Sequence, residues 1–250
     1  MIRKTALALL LAAAGVNAHA LTAGDVAIIA YNSDGADDFA WVALTDIAAN
    51  TTINFTDSSW QGSAFRSTEH LDTGGPLTWT NTTTLSAGSV VSFSGNVSKS
   101  WSVGSGNTSA ALGLSTSGDQ IFAFQGSNAA PNFLYGLQFA HANGLIASPT
   151  VSSSTNTTNV PAGLSEAAGT MFNVGDFDDG YYSGITTGTQ VQLLTAIANQ
   201  ANWTRSNDAY GQSSWVSSMS VTAVPEPRNY AMFLAGLGLM GLIARRQSSR

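Results

Sequence analysis

DVAIIAY at residues 25–31 decides the fold, together with FAWVALTDI at residues 39–47. Both segments are rich in β-branched and aromatic residues and are short for helices, which favours buried strands. The heptapeptide between them, NSDGADD at residues 32–38, contains the Asn, Asp and Gly residues that tight turns require. We therefore predict that the two strands form an antiparallel hairpin.

Further strands are predicted where apolar residues alternate or form short runs between turn residues. They lie at residues 51–57, 77–80, 89–94, 119–125, 133–139 and 219–223. One helix is predicted at residues 189–200, where Val191, Leu194, Ile197 and Ala198 are spaced to share a face. Many short strands and a single helix indicate an all-β fold, an antiparallel β-sandwich with Greek-key connections.

The N-terminus has the pattern of a secretory signal peptide over residues 1–20. Arg3 and Lys4 precede an apolar stretch, and Ala18 and Ala20 supply the small residues that a signal peptidase requires. Cleavage is expected after Ala20, so we predict that the chain is exported.

The C-terminal tail combines three features in a fixed order. A Pro-Glu-Pro motif comes first, an apolar run at residues 230–244 follows, and a basic pair comes last. That run is shorter than the roughly 20 residues of a spanning helix, so as an ordinary membrane anchor it would be marginal. The residues of the motif and the basic pair are Val224, Pro225, Glu226, Pro227, Arg245 and Arg246.

These three features resemble the PEP-CTERM sorting signal of Gram-negative bacteria. The resemblance implies transient anchoring in the inner membrane, recognition by an exosortase, cleavage near the motif, and delivery to the cell surface or extracellular matrix. It divides the chain into a signal peptide at residues 1–20, an ectodomain at residues 21–223 and a sorting signal at residues 224–250.

A second resemblance covers roughly residues 24–140. It is carried by GDVAI at residues 24–28, FAWVALTD at 39–46, TINFTDSSW at 52–60 and LSAGSVV at 85–91. These segments are similar to the lamin-tail type of immunoglobulin-like sandwich, in the version found in bacterial surface proteins. That family implies a binding or architectural module and provides no catalytic residue to transfer.

Charge and cysteine content exclude several functions. Without leader and tail, three basic residues remain against fourteen acidic ones, a formal charge of −11. Such a surface repels phosphate backbones, so nucleic acid is excluded as a partner. The chain has no cysteine, which excludes disulfides, thiolate metal sites and a cysteine nucleophile.

Two groups of acidic turn residues are candidate calcium sites. Calcium binds about six to eight oxygen ligands, and closely spaced carboxylates supply several at once. The spacing does not match an EF-hand, and the alternative explanation is that Asn, Asp and Gly occupy these turns for conformational reasons. The first group comprises Asn32, Asp34, Asp37 and Asp38, and the second comprises Asp176, Asp178 and Asp179.

Evidence for catalysis is weak, because the chain has neither a nucleophile-elbow motif nor a zinc-protease motif. A hydrolase could draw its carboxylate pair from Glu69 and Glu166, the only glutamates between leader and tail, or from any aspartate of the loops. Trp60 and Trp101 lie beside loops and are candidate platforms for sugar rings, whereas Trp41 and Trp203 are expected in the core.

The Ser/Thr-rich segment SPTVSSSTNTTNV at residues 148–160 is predicted to be an exposed loop or spacer. Taken together, these features predict a secreted or surface-displayed, non-catalytic structural or binding protein of the cell envelope or exopolysaccharide matrix. The alternative is a secreted polysaccharide hydrolase with a loop-borne carboxylate site, and a third hypothesis is a passive coat protein without a ligand.

Overall fold

A computed structural model describes residues 20–69, 75–96, 98–110, 112–142, 144–147 and 150–223, together with Gly236 and Met240, which are helical. Most of the predicted signal peptide, the sorting motif and the basic pair lie outside these residues. Within the described part of the chain, no helix combines the length and apolar character needed to cross a bilayer.

Between residues 20 and 223, the described residues form thirteen strands and one α-helix. The strands are short, as expected for a chain rich in Thr, Ser and Gly, and the helix lies late in the sequence. The elements are β1 (Val26–Asn32), β2 (Asp38–Ala43), β3 (Thr52–Thr56), β4 (Leu77–Thr80), β5 (Val90–Ser94), β6 (Ser100–Trp101), β7 (Asp119–Ser127), β8 (Ala130–Phe139), β9 (Met171–Asn173), β10 (Asp179–Tyr182), β11 (Thr187–Gly188), α1 (Gln190–Ile197), β12 (Trp203–Ser206) and β13 (Ser220–Val221).

Two large sheets organise these strands. The six-stranded sheet has the order β12-β10-β1-β2-β5-β6 and is antiparallel throughout. The five-stranded sheet has the order β4-β3-β7-β8-β9 and is antiparallel except between β8 and β9. A short parallel pair joins β11 to β13. The predicted all-β class is thus confirmed, and so is the predicted β1–β2 hairpin.

The main core lies between the two sheets and is aromatic. Trp41 of β2 meets Trp79 of β4 edge-on with ring centroids 4.8 Å apart, and Tyr31 of β1 stacks on Phe139 of β8 at 4.4 Å. Trp203 is buried in the same cluster, so the predicted core positions of Trp41 and Trp203 are confirmed.

A second, smaller core lies on the other face of β7. Successive strand residues point to opposite faces, so Ile121 and Ala123 enter the main core whereas Phe122 and Phe124 enter the second. Phe65, from the loop after β3, packs on both phenylalanines. This double coverage explains why β7 is apolar without alternation.

Helix α1 begins with a capping box formed by Thr189 and Gln192. Its buried residues are Leu193, Leu194 and Ile197. Val191 was predicted on the buried face but is 70% exposed. It lies roughly a third of a turn away from the centre of the buried stripe, which corrects that prediction.

Candidate metal centre and acidic cleft

The turn between β1 and β2 directs its three acidic side chains to different places. Asp34 faces the start of β10. Asp37, with a φ of 51°, accepts a backbone hydrogen bond from Leu114, and Asp38 Oδ1 accepts one from the Gly95 N–H at 2.8 Å. The predicted single site of Asn32, Asp34, Asp37 and Asp38 is therefore wrong as a set, because the turn geometry separates these carboxylates.

Asp34 instead joins Asp178 and Asp179, whose carboxylate oxygens lie within 4.8 Å of one another and of Asp34. We call these three residues and Asn32 the composite cluster. It forms because β10 pairs with β1 in a register that sets Asn32 opposite Asp179. The two predicted groups thus contribute to one cluster, and Asp176 is exposed outside it.

Several oxygens of the composite cluster have no hydrogen-bond partner. Asp179 is fully buried, and its Oδ1 accepts from the Ser33 N–H at 3.0 Å, whereas its Oδ2 has no partner. Oδ1 of Asp178 and Oδ1 of Asn32 are also buried without a partner. Burial, together with the charges of Asp178 and Asp34, raises the pKa of Asp179 to about 7.

A second group of carboxylates, which we call the acidic cleft, comprises Asp57, Glu69 and Asp119. Asp57 follows β3, Asp119 begins β7, and these two strands are antiparallel neighbours. The loop after β3 adds Glu69. The three carboxylates line a cavity of about 360 Å³ together with Thr68, Gly113, Ser115 and Thr155.

Backbone N–H groups hold the carboxylates of the acidic cleft. Gly113 donates to Asp57 Oδ2 at 2.5 Å, and Ser115 donates to Asp119 Oδ2 at 2.9 Å. Ser59 donates its N–H to Glu69. These donors fix each carboxylate in place within the chain itself.

Burial also perturbs protonation in the cleft. It raises the pKa of Glu69 to about 7, with a smaller contribution from the charge of Asp57. It raises the pKa of Asp119 well above the usual range, and Asp57 again adds to the effect. The Arg66 Nε lies 3.7 Å from Glu69 Oε1 and acts in the opposite direction. Glu69 is therefore about half protonated near neutral pH.

Sequence reasoning singled out only Glu69 from this cleft. Asp57 and Asp119 were missed because each is a single acid at the end of a strand, with no local pattern around it. The available signal was that both flank apolar strands, and strand ends that pair antiparallel bring such residues together.

The two predicted sugar platforms do not present their rings to solvent. Trp60 is 7% exposed and meets Phe65 and Phe133 edge-on at 5.2 and 5.0 Å. Trp101 is half-buried, packs on Phe93 at 4.9 Å and donates its Nε1–H to the backbone. Both rings face the protein, which corrects the prediction of glycan-facing tryptophans.

The Ser/Thr-rich segment at residues 148–160, described from residue 150, is a loop that is exposed at residues 153–155, as predicted, but buried at residues 157–159. Thr158 is fully buried, and its Oγ1 accepts from the Trp60 N–H at 2.8 Å. Asn159 accepts from the Ser152 N–H at 2.8 Å and donates its N–H to the Trp60 carbonyl at 2.9 Å. These hydrogen bonds, with the packing of Val160 against the second core, hold this segment, which provides one wall of the cleft at Thr155.

A scan against protein-family models, a search of curated proteins and a search of solved structures each found no match for this chain.

Proposed function

We propose that this chain is an exported, non-catalytic structural or binding protein of the cell envelope or exopolysaccharide matrix. The observation that carries the proposal is an all-β region of two sheets located between an N-terminal segment with the pattern of a signal peptide and a Pro-Glu-Pro tail. In this proposal a signal peptidase removes the leader, the tail anchors the chain transiently in the inner membrane, and an exosortase releases it to the surface or matrix.

We also propose the finer fold assignment, a Greek-key sandwich of the immunoglobulin-like, lamin-tail type. Its support is connectivity, because the chain crosses between the two large sheets four times, after β2, β4, β6 and β9. Such repeated crossings are characteristic of Greek-key sandwiches. A fold of this kind offers rigid sheets and loop surfaces for contacts with a matrix.

The sorting step is tested by replacing the motif with Pro225→Ala, Glu226→Ala and Pro227→Ala in the producing bacterium. The wild-type chain is expected in the surface or matrix fraction with its tail removed, as mass spectrometry would detect. The triple variant is expected to remain uncleaved in the inner-membrane fraction. A matched control, Ser248→Ala with Ser249→Ala, changes the same tail and is expected to behave like wild type. Release of the triple variant would contradict sorting by this motif.

Matrix binding is tested by co-sedimentation of the released chain with the producer's own exopolysaccharide, in calcium and in chelator. We expect the chain to pellet with the polysaccharide and to stay in the supernatant without it. If the chain stays in the supernatant in the presence of polysaccharide, both in calcium and in chelator, direct glycan binding is excluded. The remaining hypothesis is then a coat protein without a ligand.

A second candidate function, polysaccharide hydrolysis, is favoured by the acidic cleft. With a pKa near 7, Glu69 is suited to donate a proton to a glycosidic oxygen, while a second carboxylate of the cleft attacks the sugar or activates water. The test is release of reducing sugar from the producer's polysaccharide. Glu69→Gln is expected to lower the rate by about 100-fold or more, and the exposed Glu166→Gln is expected to leave it unchanged. No release by the wild-type chain would reject this candidate.

A further inference from the structure

Four side-chain oxygen groups converge where the β1–β2 turn meets the start of β10. Asn32 and Asp179 are direct cross-strand partners, so their side chains share one face with Cβ atoms about 5 Å apart. Asp34 and Asp178 bring their carboxylates within 4.8 Å of the Asp179 carboxylate. The convergence is therefore a product of strand register and not of local sequence.

Asn32 supplies an observation independent of the acidic residues. Its side chain is uncharged and 6% exposed, and its Oδ1 has no hydrogen-bond partner although it lies on the face that Asp179 occupies. A buried amide oxygen without a donor is costly, as is the fully buried Asp179 Oδ2 beside it. When Asp179 is ionised both atoms are acceptors, so neither can satisfy the other.

No positive side chain of the described residues compensates these carboxylates. The ion pair found in the described part of the chain is Arg66 with Glu69, in the acidic cleft. Arg205, on the strand next to β10, directs its Nη1 to the Val174 carbonyl at 2.6 Å and places its guanidinium over the Phe177 ring. The composite cluster thus has converging acceptors, and three of its described oxygens, Asn32 Oδ1, Asp178 Oδ1 and Asp179 Oδ2, have no hydrogen-bond donor.

We propose that Asn32, Asp34, Asp178 and Asp179 bind a divalent cation, with calcium as the preferred ion. Calcium binds about six to eight oxygens in flexible geometry, so four side chains with bound water complete its coordination. Magnesium requires a small, nearly ideal octahedron, which side chains from a turn and a strand end are less suited to form.

The bound ion would connect two distant parts of the chain. Asp34 lies in the first hairpin, whereas Asp178 and Asp179 come more than 140 residues later, as the Ser33–Asp179 hydrogen bond also shows. In a chain without cysteine, such a clamp takes the role that a disulfide has in other exported proteins. This inference is independent of the proposed matrix function, because it predicts a property of the fold alone.

The test is calcium titration of the full chain by isothermal calorimetry, with thermal melts in calcium chloride, magnesium chloride and chelator. We expect a Kd on the order of 10⁻⁴ M, typical of extracellular calcium modules. At a roughly 50-fold excess over that Kd, the Tm is expected to rise by about 5 °C or more relative to chelator.

Asp34→Asn is the main variant, because it keeps an oxygen at a partly exposed turn position and removes one charge. It is expected to weaken calcium binding at least about 10-fold. Asp176→Asn, in the exposed segment beside the cluster, is the matched control and is expected to bind like wild type.

Three outcomes would overturn the proposal. A wild-type Tm that is the same in calcium and in chelator would show that no ion binds. Equal calcium affinity of Asp34→Asn and wild type would place the ion elsewhere. Equal affinity for magnesium and calcium would reject calcium as the preferred ion. The first result does not depend on any variant, so it holds even where a substitution impairs folding.

Discussion

The acidic cleft and the composite cluster bury carboxylates in different ways. Asp119 is 6% exposed and accepts hydrogen bonds at both carboxylate oxygens, from Ser115 and from Gln120. Asp179 is fully buried and accepts at Oδ1, while its Oδ2 has no partner. Buried carboxylates are tolerated when N–H groups solvate them, and otherwise they need a cation or a proton. Asp119 is thus solvated by its own chain, whereas Asp179 Oδ2 is left to the cation that we propose or to a proton.

The largest loss of unfolding free energy is expected on removing Asp119, the carboxylate that accepts hydrogen bonds at both oxygens. Asp119→Ala leaves the N–H of Ser115 and the N–H and Nε2 of Gln120 without their acceptor, which costs about 3–5 kcal/mol of unfolding free energy. Urea denaturation in chelator measures this loss. Asp179→Ala under the same conditions also relieves repulsion from Asp34 and Asp178, so its loss is expected to be less than half as large. Equal losses would remove the distinction between the two clusters.

A smaller change in unfolding free energy is expected when Glu69 loses its proton as pH rises. The pKa of Glu69 rises from 4.5 to about 7 on folding, mainly because burial penalises the charged form. The charge of Asp57 also raises this pKa, and the charge of Arg66 lowers it. The folded chain therefore binds more protons than the unfolded chain between these pH values, and stability falls as pH rises through them. At about 1.4 kcal/mol per pKa unit, the fall is up to about 3 kcal/mol and is complete above pH 7.

The measurement is the difference in unfolding free energy between wild type and Glu69→Gln from about pH 4 to pH 8, in saturating calcium. Asp119 also faces the cleft and its pKa is raised in part by the charge of Glu69, so the difference reports Glu69 together with its coupling to Asp119. Glu166→Gln, at an exposed site, is expected to give a curve parallel to wild type. A difference that does not change with pH would contradict the raised pKa of Glu69.

Substitutions in the segment that forms the wall of the cleft are expected to lower the unfolding free energy less than substitutions of the cleft carboxylates. Thr158→Val keeps the side-chain shape but leaves the buried Trp60 N–H without an acceptor, at a cost of about 1–2 kcal/mol. Thr150→Val, at an exposed position of the same segment, is expected to change stability by less than about 0.5 kcal/mol. Urea denaturation compares the two, and equal effects would mean that the hydrogen bond does not hold the wall.

Local sequence predicted the parts of the fold that depend on local contacts. The β1–β2 hairpin was predicted because two apolar strands flank a turn rich in Asn, Asp and Gly. Strand β10 was missed because its sequence, DGYY, begins with a pair typical of turns. Its strand conformation depends on pairing with β1 and β12, which are distant in sequence.

The same limit applies to the candidate sites. The acidic residues of the composite cluster were found as two local groups, and only strand register shows that Asp34 meets Asp178 and Asp179 while Asp37 and Asp38 do not. The segment at residues 148–160 was predicted to be exposed because it is polar. Its buried hydrogen bonds to the loop around Trp60 are non-local, so composition does not indicate them.

The smallest effect tests whether the two clusters are electrostatically separate. Asp57→Asn keeps an acceptor for the Gly113 N–H and removes one charge from the cleft. Burial contributes more than that charge to the pKa of Glu69, so the pKa is expected to fall only to between about 6 and 7. Carboxyl ¹³C chemical shifts measured against pH follow the pKa of Glu69 directly.

The control, Asp34→Asn in the composite cluster, should leave the pKa of Glu69 unchanged. A fall to the ordinary glutamate value in Asp57→Asn would mean that repulsion rather than desolvation controls the cleft. A response to Asp34→Asn would mean that both clusters belong to one electrostatic unit.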